Sequence, residues 1–322
     1  MRYSVLTPVT RRRRRRRWRP LALLVLAVFL AFATFAGSRH FRNHSAPAAA
    51  AAPPPKTHRH VLRPPPLVLL STPAPPLWGR PRVTASSAIL VDATTGRVLW
   101  QKRPHYRRPI ASTTKIMTAT VVLERLPLER VIKVAPGVPR VPLVREGLRA
   151  GDRVAVWKLL DGLLLYSGND DALALAIGTA GSRPRFLDLM NEKAHDLGLH
   201  DTHFTSVSGV IDDGNYSSAW DLAALTRYAL RDPRFRRIVA TRIAHVRWSA
   251  PTFAKVYVNK NQLLQTYRGA DGVKTGWTTI AGHCLVASAS RGQTRLMAVV
   301  LHSTNPYGDA RRLLNLGFAL RR

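Results

Sequence analysis

Alternation of apolar and polar positions bounds the folded part of the chain at both ends. "SSAILVDATTGRVLWQK" alternates on either side of Thr94-Thr95-Gly96, the signature of a β-hairpin. "GHCLVASASRGQTRLMAVVLHS" repeats the pattern near the other end, with its turn around Arg291-Gly292-Gln293. Between them the period lengthens to that of a helix. "TTKIMTATVVLERL" carries a stripe through Ile116, Thr120 and Leu123, and "VWKLLDGLLLYSG" and "DDALALAIGTAG" predict two apolar helices in succession. "SSAWDLAALTRYAL" predicts another, capped by Ser217 or Ser218, and "DARRLLNLGFAL" a last one. Strands at both ends with helices between them imply one antiparallel sheet made from the terminal strands, and a helical layer and subdomain against it. That is an α+β arrangement, without a βαβ repeat.

Ahead of the first hairpin the pattern changes twice. Leu21 to about Gly37 is an uncharged apolar run, preceded by seven arginines, Arg11 to Arg17, and followed by Arg39 and Arg42. The arginines alone would suit a nucleic-acid patch. Beside an apolar run they read instead as a positive-inside anchor, so no nucleic-acid partner is expected. The run is short for a spanning helix of about 17–25 residues and long for a signal-peptide core of about 7–15. It reads as an uncleaved signal-anchor at 21–37 behind a cytoplasmic polybasic segment at 1–20. Cleavage at Ala31-Phe32-Ala33 or Thr34-Phe35-Ala36 would make it a signal peptide and the product secreted. Residues 38–82, rich in proline and alanine, read as a semi-rigid linker, and 83–322 as the folded domain.

Charge divides along the same boundary. Of the net charge of +32 in 322 residues, half lies in the first 82, which contain no acid. All 18 acidic residues follow Val83. A single cysteine, Cys284, excludes an intrachain disulfide and a cysteine metal cluster, and its apolar strand makes it an inert core residue. His58 and His60 sit in the linker, and His195, His200 and His203 in a helix end and turn. None of these forms a convincing ligand set, so neither a metal nor another cofactor is expected.

Candidate chemistry starts at "RRPIASTTKIMTA". Ser112 falls at the N-cap of the helix and Lys115 one turn later, so both side chains emerge on one face. A neutral lysine within reach of a serine hydroxyl can accept its proton, and neutrality requires desolvation or a neighbouring cation. A second cation is available in "DGVKTGWTT", where Lys274-Thr275-Gly276 falls on an edge strand and Gly276 would let a ligand lie against the backbone. "LLYSGNDDA" places Ser167-Gly168-Asn169 at a helix break, where a hydroxyl and an amide can face a cleft. Asp170 and Asp171 read as first-turn acids favoured by the helix dipole.

Together S-x-x-K, S-G-N and K-T-G resemble the motif set of penicillin-binding proteins. With "AILVDATTGRVL", "MNEKAHDLGLHDTHF", "NYSSAWDLAAL" and "LLNLGF", nearly all of residues 85–320 resembles the serine D-alanyl-D-alanine carboxypeptidases of the S11 type. The resemblance implies the penicillin-binding/β-lactamase-like fold, an antiparallel sheet flanked by helices with a helical subdomain. It implies Ser112 as acylated nucleophile, Lys115 as its base and Ser167 as proton relay to the leaving amine. Asn169 would hold a substrate amide and brace Lys115, while Lys274 and Thr275 would meet the substrate carboxylate. The backbone N–H groups of Ser112 and Trp277 would form the oxyanion hole, with the Trp277 ring either contacting substrate or covering the strand. The implied partners are peptidoglycan stem peptides, with β-lactams as inhibitors and the membrane reached through the N-terminal segment. The implied reaction removes the terminal D-alanine, with cleavage of cross-links as a possible companion activity. A non-catalytic wall-binding protein would predict decay in one of the motifs. A β-lactamase would need a deacylating glutamate, and after Asn169 the chain has only Glu192, inside the helix of "MNEKAHDLG". Arg311 and Arg312 align with no carboxylate-binding position and are left without a role.

Overall fold

The computed structural model describes residues 69, 81–210, 214–248 and 254–321. The segments read as cytoplasmic, membrane-inserted and (apart from residues 69, 81 and 82) linker lie outside them. Among the described residues no helix is long and apolar enough to cross a membrane.

Strands β1 (Ser87–Asp92) and β2 (Val98–Lys102) form the first hairpin. Its turn is set by Asp92 Oδ1, which accepts the N–H groups of Thr94 at 2.9 Å and Thr95 at 3.1 Å, and by Gly96 at φ 84°. A 3₁₀ turn, Ala111–Thr114, then runs into helix α1 (Lys115–Arg125). A small ribbon of β3 (Val131–Lys133) and β4 (Arg153–Ala155) brackets a long loop. Next come α2 (Val156–Asp161), a wide π-turn at Gly162–Tyr166, α3 (Asn169–Ala180) and α4 (Arg183–Asp196). The chain continues through α5 (Ala219–Ala229), α6 (Pro233–Ala240), a ribbon of β5 (Ile243–Val246) and β6 (Lys255–Val258), and the short α7 (Leu263–Thr266). It ends with β7 (Ala270–Thr278), β8 (Gly282–Arg291), β9 (Thr294–Ser303) and α8 (Pro306–Ala319).

The main sheet has the order β2-β1-β9-β8-β7 and is antiparallel throughout. Its first hairpin is therefore closed against the last, with Leu90 opposite Ala298. Both faces are covered. Leu90, Leu296 and Val300 pack with Leu313, Leu314 and Phe318 of α8, whereas Ile89, Val91 and Val299 point into the larger core with Ile116, Met117 and Leu222. A strand buried on both faces tolerates apolar side chains at every position, which is why β1 and β9 read as near-continuous runs.

Two expectations about the helices change. The stripe on α1 predicts one buried face, yet every residue from Lys115 to Leu123 is buried, because α1 is the central helix, packed among α3, α4, α5 and α6. Its polar groups are satisfied locally or by a neighbouring loop: Thr118 Oγ1 donates to Val207 O at 2.6 Å and Thr120 Oγ1 to Ile116 O at 2.8 Å. The stretch read as one helix from Val156 breaks into α2 and the π-turn. At α5 the cap is Ser218, whose hydroxyl accepts the N–H of Asp221 at 3.1 Å. Ser217 bonds Thr202 at 2.7 Å instead.

Candidate active site

The three motifs converge between α1, the start of α3 and the edge strand β7. Ser112 does not cap its helix: it lies inside the 3₁₀ turn that precedes α1, behind Ala111, whose φ of 47° is unusual for a residue with a Cβ. The turn is held by Thr113 Oγ1, which donates to Ile110 O at 2.6 Å. The difference from the expected cap is one of backbone. A tighter turn aims the Ser112 side chain back toward Lys115, whose Nζ is 3.1 Å from Ser112 Oγ.

Lys115 is fully buried, and its amine is surrounded by acceptors. Asn169 Oδ1 lies at 2.8 Å and Ser208 O at 3.2 Å. The orientation of the Asn169 amide is settled by its own nitrogen, which donates to Pro142 O at 3.1 Å. A neutral amine here would have its two N–H groups met by two acceptor-only oxygens, leaving a lone pair for the Ser112 hydroxyl. Burial, and then the positive charge of Lys274, push the Lys115 ammonium well below its ordinary range.

On the opposite side Ser167 ends the π-turn in the left-handed conformation (φ 73°, ψ 36°). This sharp reversal is what presents its hydroxyl, 3.1 Å from Lys274 Nζ. Lys274 also donates to Thr275 O at 3.0 Å, and burial, then the charge of Lys260, push it down to about 7. Thr275 is half-buried on β7. A Cβ at Gly276 would come within 3.0 Å of Ile110 O and Ser112 N, so this glycine also lets the strand pack closely on the turn that carries Ser112. Trp277 is 59% exposed and lines the cleft, its ring 6.1 Å from that of His283.

The cleft at Ser112 encloses about 650 Å³ and is walled by Leu143, Val144, Val210, Trp277 and Ile280. The structure therefore gathers Ser112, Lys115, Ser167, Asn169, Lys274, Thr275, Gly276 and Trp277 around one region. It leaves Arg311 on Thr266 and Arg312 on Asp309, both engaged away from the cleft. Glu192 is not among the cleft-lining residues. Sequence reasoning missed Ser208, Gly209 and Lys260. Gly209 carries a signal in retrospect: at φ 73° its backbone passes so close to Ala111 and Thr114 that a Cβ would strike both. A backbone carbonyl such as that of Ser208 leaves no trace in side-chain identity, and Lys260 belongs to none of the motifs.

Comparison with known proteins adds an independent line. A family model described as D-alanyl-D-alanine carboxypeptidase matches residues 73–305. D-alanyl-D-alanine carboxypeptidase DacF of Bacillus subtilis is 35% identical over 228 residues, 69% of this chain and 58% of that protein's length. A D-alanyl-D-alanine carboxypeptidase of a Streptomyces strain is 36% identical over 264 residues, 75% of this chain and 89% of the relative. The crystal structure of the Streptomyces K15 DD-transpeptidase superposes with a TM-score of 0.70 at 36% identity, over 74% of this chain and 99% of the other.

Proposed function

Because the chain belongs to the S11 peptidase family of D-alanyl-D-alanine carboxypeptidases, we propose that it removes the terminal D-alanine from peptidoglycan stem peptides through an acyl-enzyme on Ser112. The observation that carries this reading is the geometry at Lys115. Its amine lies 3.1 Å from Ser112 Oγ with Asn169 Oδ1 and Ser208 O on its other sides, so that once neutral it can donate to those two and accept the serine proton.

In the forward step Ser112 Oγ attacks the carbonyl carbon of the penultimate D-alanine while its proton passes to Lys115 Nζ. The oxyanion lies against the backbone N–H groups of Ser112 and Trp277. The close packing of Gly276 on Ser112 N supports that pairing by holding β7 against the nucleophile turn. Collapse of the tetrahedral intermediate breaks the peptide bond. The leaving amine takes a proton through Ser167, whose hydroxyl is polarised by Lys274. Water then attacks the ester, returning Ser112 and releasing the shortened peptide; an amine acceptor would close the same cycle by transpeptidation. A β-lactam opens on Ser112 by the same first step and lacks a departing amine.

In this reading Thr275 and Lys274 meet the substrate carboxylate, Asn169 a substrate amide, and the exposed Trp277 the peptide itself. The polybasic segment and the apolar run at 21–37 support tethering of an extracytoplasmic domain to the cell membrane by one span. Mass analysis of the N-terminus from a membrane fraction tests this, since an N-terminus between residues 33 and 38 means cleavage and secretion.

The test of activity uses the full-length chain with a fluorescent penicillin, followed by intact mass, and then a stem pentapeptide. A lasting adduct on Ser112 and release of D-alanine are expected, and Ser112→Ala removes both. Rapid return to the unmodified mass would identify a β-lactamase, and no adduct with no D-alanine a non-catalytic wall-binding protein.

A further inference from the structure

Helix α3 opens with Asn169-Asp170-Asp171, and each faces a different task. Asn169 braces Lys115. Asp170 accepts the backbone N–H groups of Glu146 at 2.8 Å, Gly147 at 2.8 Å and Leu148 at 3.0 Å, fixing the loop whose Leu143 and Val144 wall the cleft. Asp171 is fully buried, yet neither of its carboxyl oxygens meets a donor among the described residues. From the same rim loop Glu146 reaches in, its side chain 1% exposed. Its Oε1 accepts from Lys255 Nζ at 3.0 Å and from the Tyr257 hydroxyl, while its Oε2 also lacks a donor. A Cβ at Gly162 would strike Glu146 Oε2 and Asp171 Oδ2 together, so these two donorless oxygens lie over the same glycine.

Two carboxylate oxygens do not share a buried site unless a proton lies between them. Charge leads to the same conclusion. The groups facing the pair are Asp170 from its own helix, Lys255 and Tyr257 from β6, Asp161 from α2 and Lys115 from α1. Lys255 pairs with Glu146, and among the described residues no cation is hydrogen-bonded to Asp171. We propose that Asp171 is held as an undissociated acid donating its proton to Glu146, and that confining the pair's charge to Glu146 helps keep the neighbouring Lys115 amine uncharged. Asp171 is thus a positioning residue that acts through Lys115. The part that concerns Lys115 rests on the function proposed above, whereas the state of the carboxyl pair does not. Burial, and then the Glu146 charge, hold the Asp171 carboxyl well above the usual carboxylate range. An ionised Asp171 would draw the Lys115 ammonium back up.

The experiment measures acylation of the full-length chain by a fluorescent penicillin against pH, for wild type, Asp171→Asn and Glu146→Gln, with infrared spectra of the same proteins. In Asp171→Asn the midpoint of the acid limb stays in place whatever happens to the rate itself, because a neutral group replaces a neutral group. In Glu146→Gln the charge must settle on Asp171. The midpoint then moves to higher pH, and acylation on the limb falls by on the order of tenfold. Wild type carries the C=O stretch of an undissociated acid at neutral pH, and Asp171→Asn loses it. A midpoint that falls in Asp171→Asn, or absence of that band from wild type, overturns the proposal. If Glu146→Gln does not fold, the aspartate variant and the spectra still decide. A wild type that takes no penicillin overturns the proposed function instead, and the band still judges the carboxyl pair.

Discussion

In the proposed mechanism Lys115 must first lose its own proton, and burial and then the charge of a second lysine, Lys274, favour that loss. Acylation by penicillin should therefore rise with pH through the titration of Lys115; a flat profile from about pH 6 to 10 would remove its role as base. The same depression has a stability cost with a definite sign. A group whose folded pKa lies below its unfolded value of 10.5 stabilises the fold fully above that value, and this is lost as pH falls toward the folded pKa. Lys115→Met has no such group, so it should gain on wild type as pH drops from about 10 to 7, measured by urea unfolding. At Gly209 the constraint is steric. Gly209→Ala puts a Cβ onto Ala111 O and Thr114 Oγ1 at a positive φ, and is expected to lower stability by about 1–3 kcal/mol and acylation with it.

Elements matter here through their edges and ends. Strand β7 is hydrogen-bonded to β8 on one side only, and its other edge presses through Gly276 on the turn carrying Ser112. Gly276→Ala should push the strand off that turn and separate the two N–H groups proposed as the oxyanion hole. The expected result is a fall in kcat/KM of about 10- to 1,000-fold with Tm changed by only a few degrees. An equal fall in thermal stability and activity would mean that the glycine serves packing alone. The cap of α5 lies away from the chemistry. Ser218→Ala leaves the N–H of Asp221 without its acceptor and should cost about 1 kcal/mol at unchanged acylation rate.

Across the whole molecule, one carboxylate joins the start of the folded region to its last helix. Asp309 accepts the N–H of Ala85 at 2.9 Å, the hydroxyl of Thr84 at 2.8 Å and that of Ser303 at 2.7 Å. Burial pushes this carboxyl up, but the hydrogen bonds outweigh it and hold it below 3.8. A depressed carboxylate stabilises above its unfolded pKa and loses that contribution as pH falls through the folded one. Asp309→Asn should therefore cost on the order of 2–4 kcal/mol at pH 7, and progressively less below about pH 4. A deficit that does not vary with pH would assign the effect to packing.

Much of this organisation can be read along the chain. Strand alternation and helical period depend on near neighbours, and so the two terminal hairpins and the main helices were legible. The types of residue that could form a serine–lysine site were legible too, because their chemistry belongs to the side chains themselves. What the folded arrangement alone decides is protonation and aim. The Lys115 amine is held beside Ser112 by acceptors 54 and 93 residues away. Ser112 sits in a 3₁₀ turn rather than at a cap, and Gly276 packs closely on that turn. Asp171 is the first-turn acid that the sequence suggests, but that it is buried beside Glu146, from a loop earlier in the chain, shows only in the fold. Desolvation and hydrogen-bond saturation are sums over neighbours in space, and a linear sequence does not contain those sums.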